Sequence, residues 1–163
     1  IGYSNHRKLI QSLSRMGRDF QLLVVCGNNK RQYSSLARAL DNYDGPCSIY
    51  PFGFVHNVEV MMSASDCIIT KPGGLTLSEP LPKNLPMILV NPIPGHEERN
   101  VEFLLNNGIA LLVTKTFSVD EAVYHLFHNQ PRIASIRQTM HAVAHPDATE
   151  RLCNFILDMP RRS

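Results

Sequence analysis

The sequence predicts an α/β domain, a Rossmann-like parallel sheet flanked by helices, and three observations carry that prediction. Apolar runs of strand length alternate with stretches of helical period between residues 20 and 113, and strands that alternate with helices form parallel sheets. The junctions after those runs, Gly27-Asn28, Gly53-Phe54-Val55, residues 70–74 and residues 91–96, are glycine-rich and polar, and in such sheets ligands sit beyond the carboxyl ends of the strands. The length, 163 residues, suits one domain with a sizeable core.

The elements follow in order. Gly2 to Ser4 reads as the glycine turn after a strand upstream of residue 1, a sixth beside five visible ones, and Ser4 or Asn5 can cap a helix carrying Leu9, Ile10, Leu13 and Met16. Residues 20–26 (FQLLVVC) form a continuously apolar strand of the kind covered on both faces, and Gly27-Asn28-Asn29 turns into a helix over 30–40. A loop at 42–46, a strand at 48–52, a turn at Gly53 and a helix at 58–64 lead to a strand from Cys67. The alternation continues with a strand at 87–90, a loop with two prolines, a helix at 97–107 and a strand at 110–113. Ser118-Val-Asp-Glu121 reads as a capping box opening a helix to about residue 127. Pro131 starts a helix over 133–143 and Asp147 caps a last one to 159. These three helices are expected to pack on the sheet or against a neighbouring domain.

Residues 67–79 (CIITKPGGLTLSE) concentrate the chemistry. A short buried strand stops at Pro72, Gly73 and Gly74, where paired glycines let the chain turn and another group approach closely. Thr76 and Ser78 then open a helix, so several amides point without partners at the positive end of its dipole, a site for phosphate. Glu79, one turn in, suits two hydrogen bonds from a ribose diol. The expectation is a nucleoside diphosphate site. On this stretch alone a tight strand-to-helix connection with an ordinary exposed Glu remains the alternative, and the turn lacks the G-x-G-x-x-G spacing of redox Rossmann proteins.

Composition narrows the partners. With 16 Lys and Arg against 14 Asp and Glu the net charge is +2, which argues against nucleic acid as a partner. The four cysteines, Cys26, Cys47, Cys67 and Cys153, show no metal-ligand spacing and read as reduced and structural, hence a cytosolic chain. His125 and His128, and His141 and His145, lack a third ligand, so they read as surface residues and no metal is expected. Arg7-Lys8, Lys30-Arg31 and Arg161-Arg162 read as solvated helix faces or, more sharply, as contacts for an anionic membrane surface.

Residues 70–79 (TKPGGLTLSE), then 85–90 (LPMILV) and 91–100 (NPIPGHEERN), resemble the C-terminal half of GT-B glycosyltransferases, in the family of the peptidoglycan lipid-intermediate GlcNAc transferase and the diacylglycerol glycosyltransferases. The likeness is nearest to the processive diacylglycerol glucosyltransferases and monogalactosyldiacylglycerol synthases and spans nearly the whole chain. Two motifs in order, about twenty residues apart, are far more specific than either alone. The resemblance implies the UDP-sugar-binding half of an inverting enzyme with a lipid acceptor such as diacylglycerol, peripheral at the cytoplasmic membrane face. It implies that Gly73, Gly74 and Thr76 hold the diphosphate and Glu79 the ribose. Main chain at Phe54 and Val55 would edge the uracil, while His96, Glu97 and Asn100 would face the sugar. Gly27 and Asn28 take a comparable place on an earlier strand.

The leaving diphosphate would be stabilised by main-chain amides without a metal or other cofactor. The catalytic base would come from an N-terminal acceptor domain, so none is assigned here. Alternatives keep the donor but use a polyprenyl lipid acceptor, or make the chain a non-catalytic binding subunit needing a partner chain. Glu97 and Glu98 could also be simple helix N-terminal charges. One feature departs from the family: Pro80 and Pro82 follow Glu79, so the helix there is either about one turn long or the site is reshaped.

Overall fold

The computed structural model describes residues 6–17 and 19–159, with backbone alone for His6, Arg7, Leu75 and Thr76. Gly2, Ser4, Asn5 and Arg161-Arg162 lie outside the described residues. The elements are α1 (His6–Ser14), β1 (Gln21–Val25), α2 (Lys30–Leu40), β2 (Ser48–Phe52), α3 (Val58–Ser63), β3 (Ile68–Thr70) and α4 (Gly74–Ser78). After them come β4 (Met87–Leu89), α5 (Glu98–Asn106), β5 (Ala110–Leu112), α6 (Val119–His128), α7 (Gln130–Val143) and α8 (Ala148–Leu157). Every strand pair is parallel, as the alternation of strands and helices requires.

The strands form two hydrogen-bonded sheets, β1-β2 and β3-β4-β5, where one five-stranded sheet was expected. In a parallel pair, alternate peptide units face each neighbour. Ser48 N donates to Phe20 O at 2.9 Å and Cys26 N to Phe52 O at 2.8 Å, which turns the even-numbered residues of this stretch toward β2. The peptide groups of Gln21, Leu23 and Val25 are left on the other edge, where no strand pairs with them among the described residues. The sixth strand expected upstream lies outside the described residues. One apolar core nevertheless runs through both sheets, from Leu9, Leu13 and Val24 to Ile88, Leu104 and Met140.

Coverage is uneven. β4 is sealed, with Met87, Ile88 and Leu89 at 1%, 0% and 0% exposure, because strands flank both its edges and α6 lies against it. β1 is not covered on both faces as its apolar sequence suggested: Gln21 and Val25 are exposed. α8 departs further, with no buried residue, and its stripe of Leu152, Phe155 and Ile156 is open rather than packed on the sheet. Ser118 is the N-cap of α6, but the expected capping box does not form. Its hydroxyl bonds Asp120 instead, and Glu121 approaches His125 at 3.9 Å.

Candidate functional site

β3 ends at Thr70, and the chain runs through Lys71, the buried Pro72 and an extended Gly73 (φ −73°, ψ 149°) into α4. α4 is five residues long, ended by Glu79 and the buried Pro80, which is the short-helix alternative raised by the two prolines. Gly73 N donates to Lys71 O at 2.9 Å, so this amide is not available to an anion, a correction to the expected donor set. Leu77 N is the first to donate into the helix, to Gly73 O at 3.1 Å, so the amides of Gly74, Leu75 and Thr76 have no intrahelical acceptor. Gly74 has an ordinary backbone conformation, and a Cβ added to it would meet nothing within 4 Å. Neither fold nor packing requires glycine there; the space beside it is open. The Thr76 hydroxyl lies outside the described side chains. Glu79, the residue after α4, is exposed.

The second motif is a self-braced loop. Ile93 N donates to Glu97 Oε2 at 2.7 Å and Glu97 N to Ile93 O at 3.0 Å, a reciprocal pair that closes residues 93–97 around Gly95 (φ +79°). Glu97 therefore spends one carboxylate oxygen on its own loop, where the resemblance had it facing a sugar. His96 stands exposed beside it. Asn100, in the first turn of α5, also has a use the sequence did not suggest: its Nδ2 donates to Pro72 O at 2.8 Å, tying the second motif to the first. No spacing or residue type signals that bond.

Gly27, Asn28, Phe54 and Val55 lie beyond the carboxyl ends of β1 and β2, as predicted. Gly27 takes φ +57° in the turn before α2, whose Asn29 cap accepts from Gln32 N at 3.0 Å. Phe54 is 59% exposed, an unusual state for so large an apolar ring, with His56 edge-on at 4.9 Å between centroids. The i, i+2 aromatic spacing was the only available signal for His56. The structure thus bonds Asn100 to the turn that holds Gly73 and Gly74, whereas among the described residues no hydrogen bond joins Gly27-Asn28 or Phe54-Val55 to that turn. Burial, with the Asp66 carboxylate nearby, pushes the Cys67 thiol up to about 12, and burial also raises Cys26, so these strand-end thiols stay protonated and are poor nucleophiles. Among the described residues no three His, Cys, Asp or Glu side chains group to hold a metal ion.

Residues 5–152 match the model of the glycosyltransferase family 28 C-terminal domain. The chain belongs to that family. Processive diacylglycerol beta-glucosyltransferase of Bacillus pumilus (strain SAFR-032) is 28% identical over 154 residues, 94% of this chain and 39% of that protein. The enzyme of the same name from Bacillus cereus (strain AH187) is 30% identical over 139 residues, 85% of this chain and 35% of that protein. The chain thus spans 39% or less of the length of these two relatives. Among solved structures, Acinetobacter baumannii MurG superposes with a TM-score of 0.78 at 20% identity, over 95% of this chain and 46% of that one. WaaG, a glycosyltransferase involved in lipopolysaccharide biosynthesis, gives 0.61 at 16% identity, over 98% and 46%. At such identities the likeness speaks for the fold alone, that of a Rossmann-like half of a GT-B glycosyltransferase.

Proposed function

We propose that this chain is the UDP-sugar-binding half of an inverting glycosyltransferase that moves a hexose onto a lipid acceptor such as diacylglycerol. The observation that carries this reading is the turn after β3, in a family 28 domain: three amides without intrahelical acceptors, beside the open space at Gly74. Cleaving the bond from the anomeric carbon to UDP leaves negative charge on the diphosphate, and main-chain dipoles already in position stabilise it without reorganising. Glu79 accepts from the ribose diol, main chain at Phe54 and Val55 edges the uracil, and His96 with the second oxygen of Glu97 faces the sugar. The relatives' name specifies a beta-glucoside, and a beta product from an alpha-linked UDP-sugar requires a single displacement. The acceptor hydroxyl gives its proton to a base outside this chain, in an acceptor domain or partner chain.

Among the described residues no helix is long and apolar enough to cross a membrane, and Lys30 and Arg31 are exposed. Both suit peripheral contact with an anionic membrane face. Calorimetric titration with UDP, UDP-glucose, UDP-galactose and UDP-GlcNAc tests the donor reading. UDP is expected to bind, and Glu79→Ala to weaken it by about 1–3 kcal/mol, the cost of unpaired ribose hydroxyls. Unchanged affinity in the variant removes Glu79 from the ribose; no UDP binding by the wild type removes the reading itself.

A further inference from the structure

The peptide unit between Pro72 and Gly73 is held at both ends. Its carbonyl oxygen accepts from Asn100 Nδ2 at 2.8 Å, and its N–H donates to Lys71 O at 2.9 Å. A peptide next to glycine is otherwise easy to rotate, because Gly73 tolerates almost any φ. The orientation of this one plane sets where the following amides, Gly74 to Thr76, point. The bond that holds its oxygen comes from the other motif. Asn100 sits in the first turn of α5, where Val101 N donates to Glu97 O at 3.0 Å and Glu97 closes the 93–97 loop. Loop, helix turn and peptide plane are therefore linked by hydrogen bonds.

We infer that Asn100 is a positioning residue for the diphosphate turn and not a sugar contact. Resting on the donor-site reading above, the inference is that Asn100 fixes the Pro72–Gly73 plane, so that amides 74–76 are aimed before the nucleotide arrives and the sugar-side loop is coupled to the diphosphate turn. Preorganisation of this kind appears as affinity, since ordering the turn is no longer charged against binding.

The test uses UDP and UDP-glucose as probes. Asn100→Ala is expected to weaken both by the same factor, about tenfold, as a loss of aim would. It should also speed hydrogen exchange at the Gly73 amide, with distant core amides unchanged. Asn100→Asp supplies a readout that a merely structural role would not move. Protonated, its acid O–H can donate to Pro72 O; ionised, it opposes that oxygen, which raises its own pKa. UDP affinity of Asn100→Asp, as a ratio to wild type at each pH, should therefore approach one at low pH and fall as pH rises through the carboxyl range. The same Lys71, His96, Glu97, Glu98 and Arg99 surround this position in the wild type, so the ratio compares two proteins that differ only in the side chain at residue 100. A loss confined to UDP-glucose overturns the inference in favour of a sugar contact, and so do unchanged UDP affinity or a flat ratio for Asn100→Asp. Failure of the wild type to bind UDP overturns the donor reading and takes this inference with it.

Discussion

β1 and β2 run for five residues each and β3, β4 and β5 for three, yet the shorter strands hold the sealed centre of the molecule. Ile88 in β4 is 0% exposed, while Val25 in β1 is 36% and Tyr50 in β2 is 44%. The stretches FQLLVVC and LPMILV are similarly apolar, so composition does not separate them. Neighbours do: β4 has a strand on each edge, whereas β1 has one on a single edge among the described residues. Burial follows the number of covered sides, and the candidate site divides along the same line. Beyond β3 and β4 the loops are cross-linked by Asn100; beyond β1 and β2 Asn28 and Phe54 are exposed, Gly27 and Val55 are half-buried, and among the described residues no hydrogen bond links them to those loops.

The largest effect expected is in the core. Ile88→Ala should cost about 2–5 kcal/mol in urea unfolding, the usual range for truncating a sealed aliphatic side chain. Val25→Ala should cost less than about 1 kcal/mol. Equal costs would break the contrast, since they would mean that the open edge of β1 is covered in solution.

This contrast also marks what could be read in the sequence. The helix at 30–40 and the strand at 48–52 were legible to the residue, since a Gly-Asn-Asn turn ahead of a helical stretch and a short apolar run ended by Gly53 are local signals. The two glycine-rich loops were legible as a family signature because their order and spacing match a family, and the folded chain bonds one to the other through Asn100. Coverage was not: no residue type in 20–26 reports that an edge lacks a partner, and the stripe on α8 looks the same whether or not something covers it. Hydrogen-bond destinations were hidden for a similar reason. Asn100 and Glu97 are as competent to bind a hydroxyl as to bind Pro72 O or Ile93 N, and only the folded chain decides between them.

The glycine turns sharpen the comparison at intermediate size. Gly27, after β1, needs its left-handed conformation (φ +57°), so Gly27→Ala should destabilise the fold by about 1–2 kcal/mol. Gly74, after β3, has an ordinary φ and open space, so Gly74→Ala should leave the fold intact or stabilise it by about 0.5–1 kcal/mol. The added methyl would instead occupy room proposed for the diphosphate and weaken UDP by about 1–3 kcal/mol, by analogy with overpacking. Thermal melts and UDP titration of the two variants separate the effects. A Gly74→Ala protein that binds UDP as the wild type does would leave the open space without a role.

The smallest effect concerns how the two halves are joined. Ser12 of α1 donates to Asp120 of α6, where α1 and α6 pack together. Burial pushes the Asp120 carboxyl up, but hydrogen bonds from Ser12, Ser118 and its own amide, with the Arg15 charge, outweigh it and hold the group below its ordinary value of 3.8. A depressed pKa contributes stability that is present above that value and lost as pH falls through the folded one. Ser12→Ala should therefore cost about 1 kcal/mol at neutral pH, and its gap to the wild type should close once the carboxyl is protonated in both. Hydrogen exchange tells which half takes the loss. Because one apolar core runs from Leu13 and Val24 to Ile88, amides of β1 and β4 should lose protection together, as in a single cooperative unit. Loss confined to β1 and β2 would mean instead that the two sheets open separately and that the core between them transmits little.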